Sequence, residues 1–129
     1  MKETTGEAMK RIRESKGIEI NQLVKRKVVS NQRVVHRVES GDGTIINMLA
    51  LCKGIGARAV FLNDGEEVLL PSFSTDNRSK FLRESGIHNW TTVEKVAALN
   101  PFSRLTILYK FCKQIGVEIL IVDSSTVQP

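Results

Sequence analysis

INQLVKRKVVSNQRVVHRVESG, residues 20–41, places an apolar helical pattern on each side of a short turn and fills the outward positions of the second segment with basic and amide side chains. In the first segment Leu23 and Val24 are apolar; in the second, Val34, Val35 and Val38 form an i, i+1, i+4 stripe. Ser30 is expected to cap the second helix by accepting a hydrogen bond from an otherwise orphaned backbone N–H. With the valines turned inward, the 3.6-residue period directs Asn31, Gln32, Arg33, His36 and Arg37 toward the opposite face or its flanks. Amides can bond an adenine edge in the major groove and arginine a guanine edge. Between Lys25 and Arg37 the chain has five Lys or Arg and no acidic residue, so phosphates suit the segment.

A basic run on a helix is by itself more often a solvated face than a binding site. Here a turn, an N-cap, a valine stripe and amide-rich outward positions coincide within about 20 residues, the scale of a helix-turn-helix. That coincidence favours Asn31, Gln32, Arg33 and His36 as base-contacting residues, with Lys25, Lys27 and Arg37 on phosphates.

The surrounding residues carry a family resemblance. Arg13-Glu14-Ser15-Lys16-Gly17, Arg37-Val38-Glu39-Ser40-Gly41 and Leu49-Ala50-Leu51-Cys52-Lys53-Gly54-Ile55-Gly56 stand in the order and near spacing of helix endings in one class of regulators. Residues 6–62, a little under half the chain, resemble the five-helix domain of the Cro and lambda-repressor (Xre-type) class of bacterial and phage transcriptional regulators. The resemblance implies that Ser30 to about Val38 is a recognition helix. It also implies that Gln22, or Asn21 beside it, sets an amide against a phosphate, and that Glu39 has a structural role. About one extra residue lies between Leu23 and Glu39, and Val28 and Val29 stand where the family's turn has its glycine, which implies a longer or differently shaped turn. Thr44, after Gly41-Asp42-Gly43, is expected to cap a fourth helix running from Ile45 to about Leu51 into a fifth.

The rest of the chain echoes this framework. Leu82-Arg83-Glu84-Ser85-Gly86-Ile87 parallels Ile12 to Ile18, and Phe111-Cys112-Lys113-Gln114-Ile115-Gly116 parallels Leu51 to Gly56. Glu14 and Cys52 are 38 positions apart and Glu84 and Cys112 are 28 apart. Either the second half is a duplicate shortened by about ten residues where the first holds its recognition helix, or two amphipathic helix endings match by chance. Between the echoes, Thr91 to Ala98 is expected to be a short helix capped by Thr91 or Thr92, with Glu94 near the box position, and Asn100-Pro101 to end it and start another. Ala57 to Leu62 and Val117 to Val122 read as strands, and Glu66 to Pro71 as a further strand or a linker, with Pro71 to Asp76 a boundary. In the resembling family such a terminal strand sometimes pairs across a two-fold axis; here the two strands can instead pair inside one chain. Trp90 reads as a core anchor.

Composition bounds the alternatives. The 129 residues carry a net charge of +5, and both halves are mildly positive, so the position of the basic cluster matters more than the total. No apolar run has the length of a membrane span and the N-terminus has no hydrophobic signal region, so a cytoplasmic, nucleoid-associated protein without a membrane partner is expected. Cys52 and Cys112 have no metal-ligand spacing and read as buried free thiols. No phosphate loop, paired His and Cys motif or metal-spaced carboxylate cluster points to an enzyme, a metal or a cofactor.

The expected fold is mainly α, with a five-helix lambda-repressor-like DNA-binding domain ending in a strand over 1–70 and a smaller α+β half, a degenerate repeat for dimerisation or regulation, over 71–129. The expected function is sequence-specific binding of double-stranded DNA at an operator, by a homodimer built from the region after residue 56 and reading a palindrome. The alternative is a protein-interaction module, an antitoxin or adaptor with a vestigial helix-turn-helix, whose partner is a protein such as a toxin.

Overall fold

The computed structural model describes residues 3–68 and 75–124. The first half is four helices and a hairpin: α1 (Thr5–Ser15), α2 (Ile20–Lys25), α3 (Gln32–Glu39), α4 (Ile45–Gly54), β1 (Ala57–Asn63) and β2 (Glu66–Val68). The second is three helices and a strand: α5 (Arg78–Ser85), α6 (Trp90–Ala97), α7 (Leu105–Ile115) and β3 (Val117–Asp123). The molecule is therefore mainly helical with a small antiparallel sheet, but the five helices expected in the first half are four. Ile45 to Cys52 contains no helix breaker, so the expected fourth and fifth helices run together as α4, capped as foreseen by Thr44, whose Oγ1 accepts from the Asn47 N–H at 3.4 Å.

Capping chemistry sets most other boundaries. The Thr4 Oγ1 accepts from the Glu7 N–H at 3.0 Å while Glu7 Oε1 accepts from the Thr4 N–H at 2.8 Å, a capping box that starts α1. In the second half the cap of α6 is Asn89 rather than Thr91 or Thr92, because its Oδ1 takes both the Thr92 N–H at 2.8 Å and the Thr92 hydroxyl at 2.9 Å. Asn100-Pro101 ends α6 but does not start the next helix. Leu99 has φ 54°, Asn100 Oδ1 accepts from the Phe102 N–H at 2.9 Å, and α7 begins only at Leu105.

The sheet has the order β2-β1-β3. The strands expected after each cysteine signature pair with each other, antiparallel, from Ala57 opposite Asp123 to Asn63 opposite Val117. Glu66 to Val68 is a strand paired with β1; Leu69 to Ser74, where the domain boundary was expected to begin, lie outside the described residues. The halves also join at an isolated bridge between Thr44 and Arg104. One core crosses both expected regions, with Met9, Val35, Val38, Met48 and Leu51 from the first and Val93, Val96, Leu105, Leu108 and Phe111 from the second all fully buried. Trp90 is half-buried at its margin, edge-on to Phe81 with ring centroids 5.9 Å apart, and the Arg78 guanidinium lies 4.8 Å from its ring centre. Both cysteines are free and buried, as their surroundings in the sequence implied.

The most demanding contact joins the ends of α1 and α3. Arg13 Nε donates to Glu39 Oε2 at 2.8 Å and Arg13 Nη2 to Glu39 Oε1 at 3.2 Å, while Nη1 donates to the Ile18 carbonyl at 3.1 Å. Their side chains are only 9% and 7% exposed. Glu39 thus has the structural role the resemblance implied. Gly6 allows the same approach at backbone level: a Cβ there would lie 2.1 Å from the Glu39 carbonyl oxygen. Removing one partner of such a pair strands a buried charge, so Glu39→Ala should lower stability by about 3 to 5 kcal/mol in a denaturant titration, and Arg13→Met combined with Glu39→Leu should lose much less.

Candidate nucleic-acid interface

Helices α2 and α3 and the six residues between them form the candidate interface. Val35 and Val38 are fully buried and Val34 half-buried, so the valine stripe faces the core and fixes the rotation of α3 about its axis. Leu23 does the same for α2. The helices are tied at their starts by Gln32 Nε2, which donates to Asn21 Oδ1.

The turn places a left-handed residue without using a glycine. The Lys27 N–H donates to the Val24 carbonyl at 3.0 Å and the Val28 N–H to the Leu23 carbonyl at 3.0 Å, the paired bonds of a Schellman ending. The residue between them must be left-handed, and it is Lys27, at φ 60°, rather than Val28 or Val29. Val28 is freed for packing: it lies against Gly54 near the end of α4, where an added Cβ would come within 2.6 Å of it. Val29 is buried in the core. The six residues between the helices thus form a loop anchored by two valines.

All eight expected contact residues, Asn31, Gln32, Arg33, His36, Gln22, Lys25, Lys27 and Arg37, are exposed, but they are not equivalent. Asn31, not Ser30, caps α3, its Oδ1 accepting from the Val34 N–H at 3.2 Å. Ser30 lies one residue too early for this bond. Gln22 Oε1 accepts from the Glu19 N–H at 3.0 Å and so begins α2. Three amides, Asn31, Gln32 and Gln22, are therefore engaged in local structure. Among the described residues nothing holds the side chains of Arg33, His36, Arg37, Lys25 and Lys27. Arg26, passed over in the sequence, is exposed between Lys25 and Lys27 and belongs with them. The Asn21–Gln32 bond was also missed, since a pair eleven residues apart leaves no periodic signal.

The surface so built offers exposed cations and an exposed imidazole. No group of three or more His, Cys, Asp and Glu gathers as a metal site among the described residues, and no helix there is long and apolar enough to cross a membrane. Burial raises the Cys52 thiol to about 11 and the Cys112 thiol to about 12, which keeps both protonated at neutral pH. Ordinary thiols titrate near 9.0, so this contribution to stability is complete below that pH and falls as pH rises through 11 and 12.

Lys27 supplies a direct test of the turn. Lys27→Val should cost about 1 to 2 kcal/mol in thermal or denaturant unfolding because a β-branched residue resists positive φ, while Lys27→Gly should hold or raise stability. Comparisons with protein families, with curated proteins and with solved structures found no match to this chain.

Proposed function

We propose that the chain is a sequence-specific double-stranded DNA-binding transcriptional regulator that acts by occupying an operator in the cytoplasm, at the nucleoid. The observation that carries this is α3 itself: its valines are turned inward while Arg33, His36 and Arg37 stand exposed, with no side-chain partner among the described residues, beside the exposed Lys25, Arg26 and Lys27. A helix held rigidly by its buried face, with cations on the other, suits insertion into a major groove. Arg33 and His36 would address base edges. Asn31 and Gln32 add amide edges at the helix's entry, and Lys25, Lys27 and Arg37, with Gln22 at the start of α2, would anchor the sugar-phosphate backbone.

A second reading, a protein-interaction module of the antitoxin or adaptor kind, is supported by exposed Ile46, Leu49 and Phe102, the last 76% exposed. The Ile46 N–H donates to the Pro101 carbonyl at 2.9 Å, which brings the α4 and pre-α7 residues close together. The two readings separate on DNA.

Arg33→Ala should cost roughly 1 to 3 kcal/mol on a selected site and relax selectivity at one base pair, whereas Lys25→Ala should weaken selected and random duplexes alike and reduce the salt dependence by about one phosphate. Equal losses on both duplexes for both variants would refute this division of labour, and retention of a partner protein without any DNA affinity would favour the second reading.

A further inference from the structure

The two halves are joined by contacts that obey one approximate two-fold axis. The strand register places Val60 opposite Leu120 at the middle of the β1–β3 ladder, and the isolated bridge places Thr44 opposite Arg104. Partners in each case stand 60 positions apart in the chain, 60 with 120 and 44 with 104, the same interval that separates the buried Cys52 and Cys112. A residue paired with its own equivalent lies on a two-fold axis. The bonds flanking the bridge are reciprocal in the same sense: the Ile45 N–H donates to the Ser103 carbonyl at 3.0 Å, and the Leu105 N–H to the Gly43 carbonyl at 2.9 Å. Buried Ile45, Met48 and Leu51 of α4 have buried counterparts in Leu105, Leu108 and Phe111 of α7. Gly56 and Gly116, both left-handed with φ 70° and 76°, turn each helix into its strand. The echo between the halves is thus structural as well as sequential.

In a symmetric assembly of two identical chains these contacts would be self-pairs: the strand ladder, the bridge between helix starts and the packing of one α4 on another. Here they are made inside one chain. The symmetry stops where the reading surface begins. Between Ile20 and Ile45 the first half holds α2, the turn and α3; between Trp90 and Leu105 the second holds α6 alone. The exposed positions of α6 are Thr91, Glu94 and Lys95, whose charges cancel.

We propose that the chain is a self-contained pseudo-dimer with a single reading head, and that its DNA target is a short duplex site without dyad symmetry, bound by one chain. The inference rests on the DNA-binding reading for its target and on the internal two-fold for its stoichiometry. The surface on which a second identical chain would make these contacts is already covered by residues 105–123. With about four cations on phosphates, log affinity should fall with log salt at a slope of about −3 to −4, and two chains on one site would double it.

Three measurements on the full-length chain test this. Sedimentation at tens of micromolar without DNA should give the mass of one chain. Selection from a random duplex library should enrich one contiguous element with no inverted copy. The complex with the selected duplex should contain one chain and show the shallower salt slope. A dimer in free solution, or enrichment of a palindrome occupied by two chains, overturns the inference and leaves the DNA-binding reading intact. A monomer that enriches no duplex overturns the DNA-binding reading and the one-chain target with it.

Discussion

The bidentate Arg13–Glu39 pair is the contact on which the geometry of the exposed helix depends. It is buried, it fixes where α3 ends, and its third bond, to the Ile18 carbonyl, fixes where the chain enters α2. Two ends of the helix pair are thus referred to one guanidinium on α1. A fork of donors in a fixed plane does this in a way a flexible ammonium cannot. The close approach at Gly6 and the packing of Val28 on Gly54 then complete a cradle in which α3 has little freedom to roll. Rigidity of this kind matters for a surface that has to present charge at fixed spacing, because each side chain still mobile at its tip needs a stationary Cα from which to reach.

How far the residues disclosed this arrangement varied with the kind of signal. Periodicity was reliable: the valine stripe of α3 and the strands following each cysteine are where the apolar pattern put them. The Thr44 cap was legible because Thr44 stands directly before the apolar run that opens α4, with Gly43 between it and Asp42. Adjacent polar residues defeated the same logic elsewhere, since Ser30 and Asn31, or Asn89, Thr91 and Thr92, are all competent caps, and only the backbone decides which oxygen reaches the N3 amide. The two expected helices run together as α4 because the boundary implied by the resemblance has no local breaker to enforce it.

The turn between α2 and α3 was legible only in part. Its missing glycine announced an unusual conformation but not its location, because left-handed geometry belongs to whichever residue sits between the two Schellman bonds. Burial settled that. Val28 and Val29 are more valuable inside than in the strained position, and a lysine, unbranched at Cβ and content in water, takes the strain instead. Side-chain ties such as Asn21 to Gln32 arise from tertiary proximity and have no counterpart in sequence spacing.

The internal two-fold has a consequence for dose. Two separate chains must find one another before they act, so their joint occupancy of a target rises more steeply than their concentration and collapses on dilution. Halves tethered on one backbone meet at the roughly millimolar effective concentrations typical of short connections, whatever the number of chains present. If one chain occupies its target as proposed, no assembly threshold stands before it: the response is graded, present from the first molecules made and proportional to their number. The tether also releases each half from the requirement to match itself, so a substitution in one half is not imposed on the other.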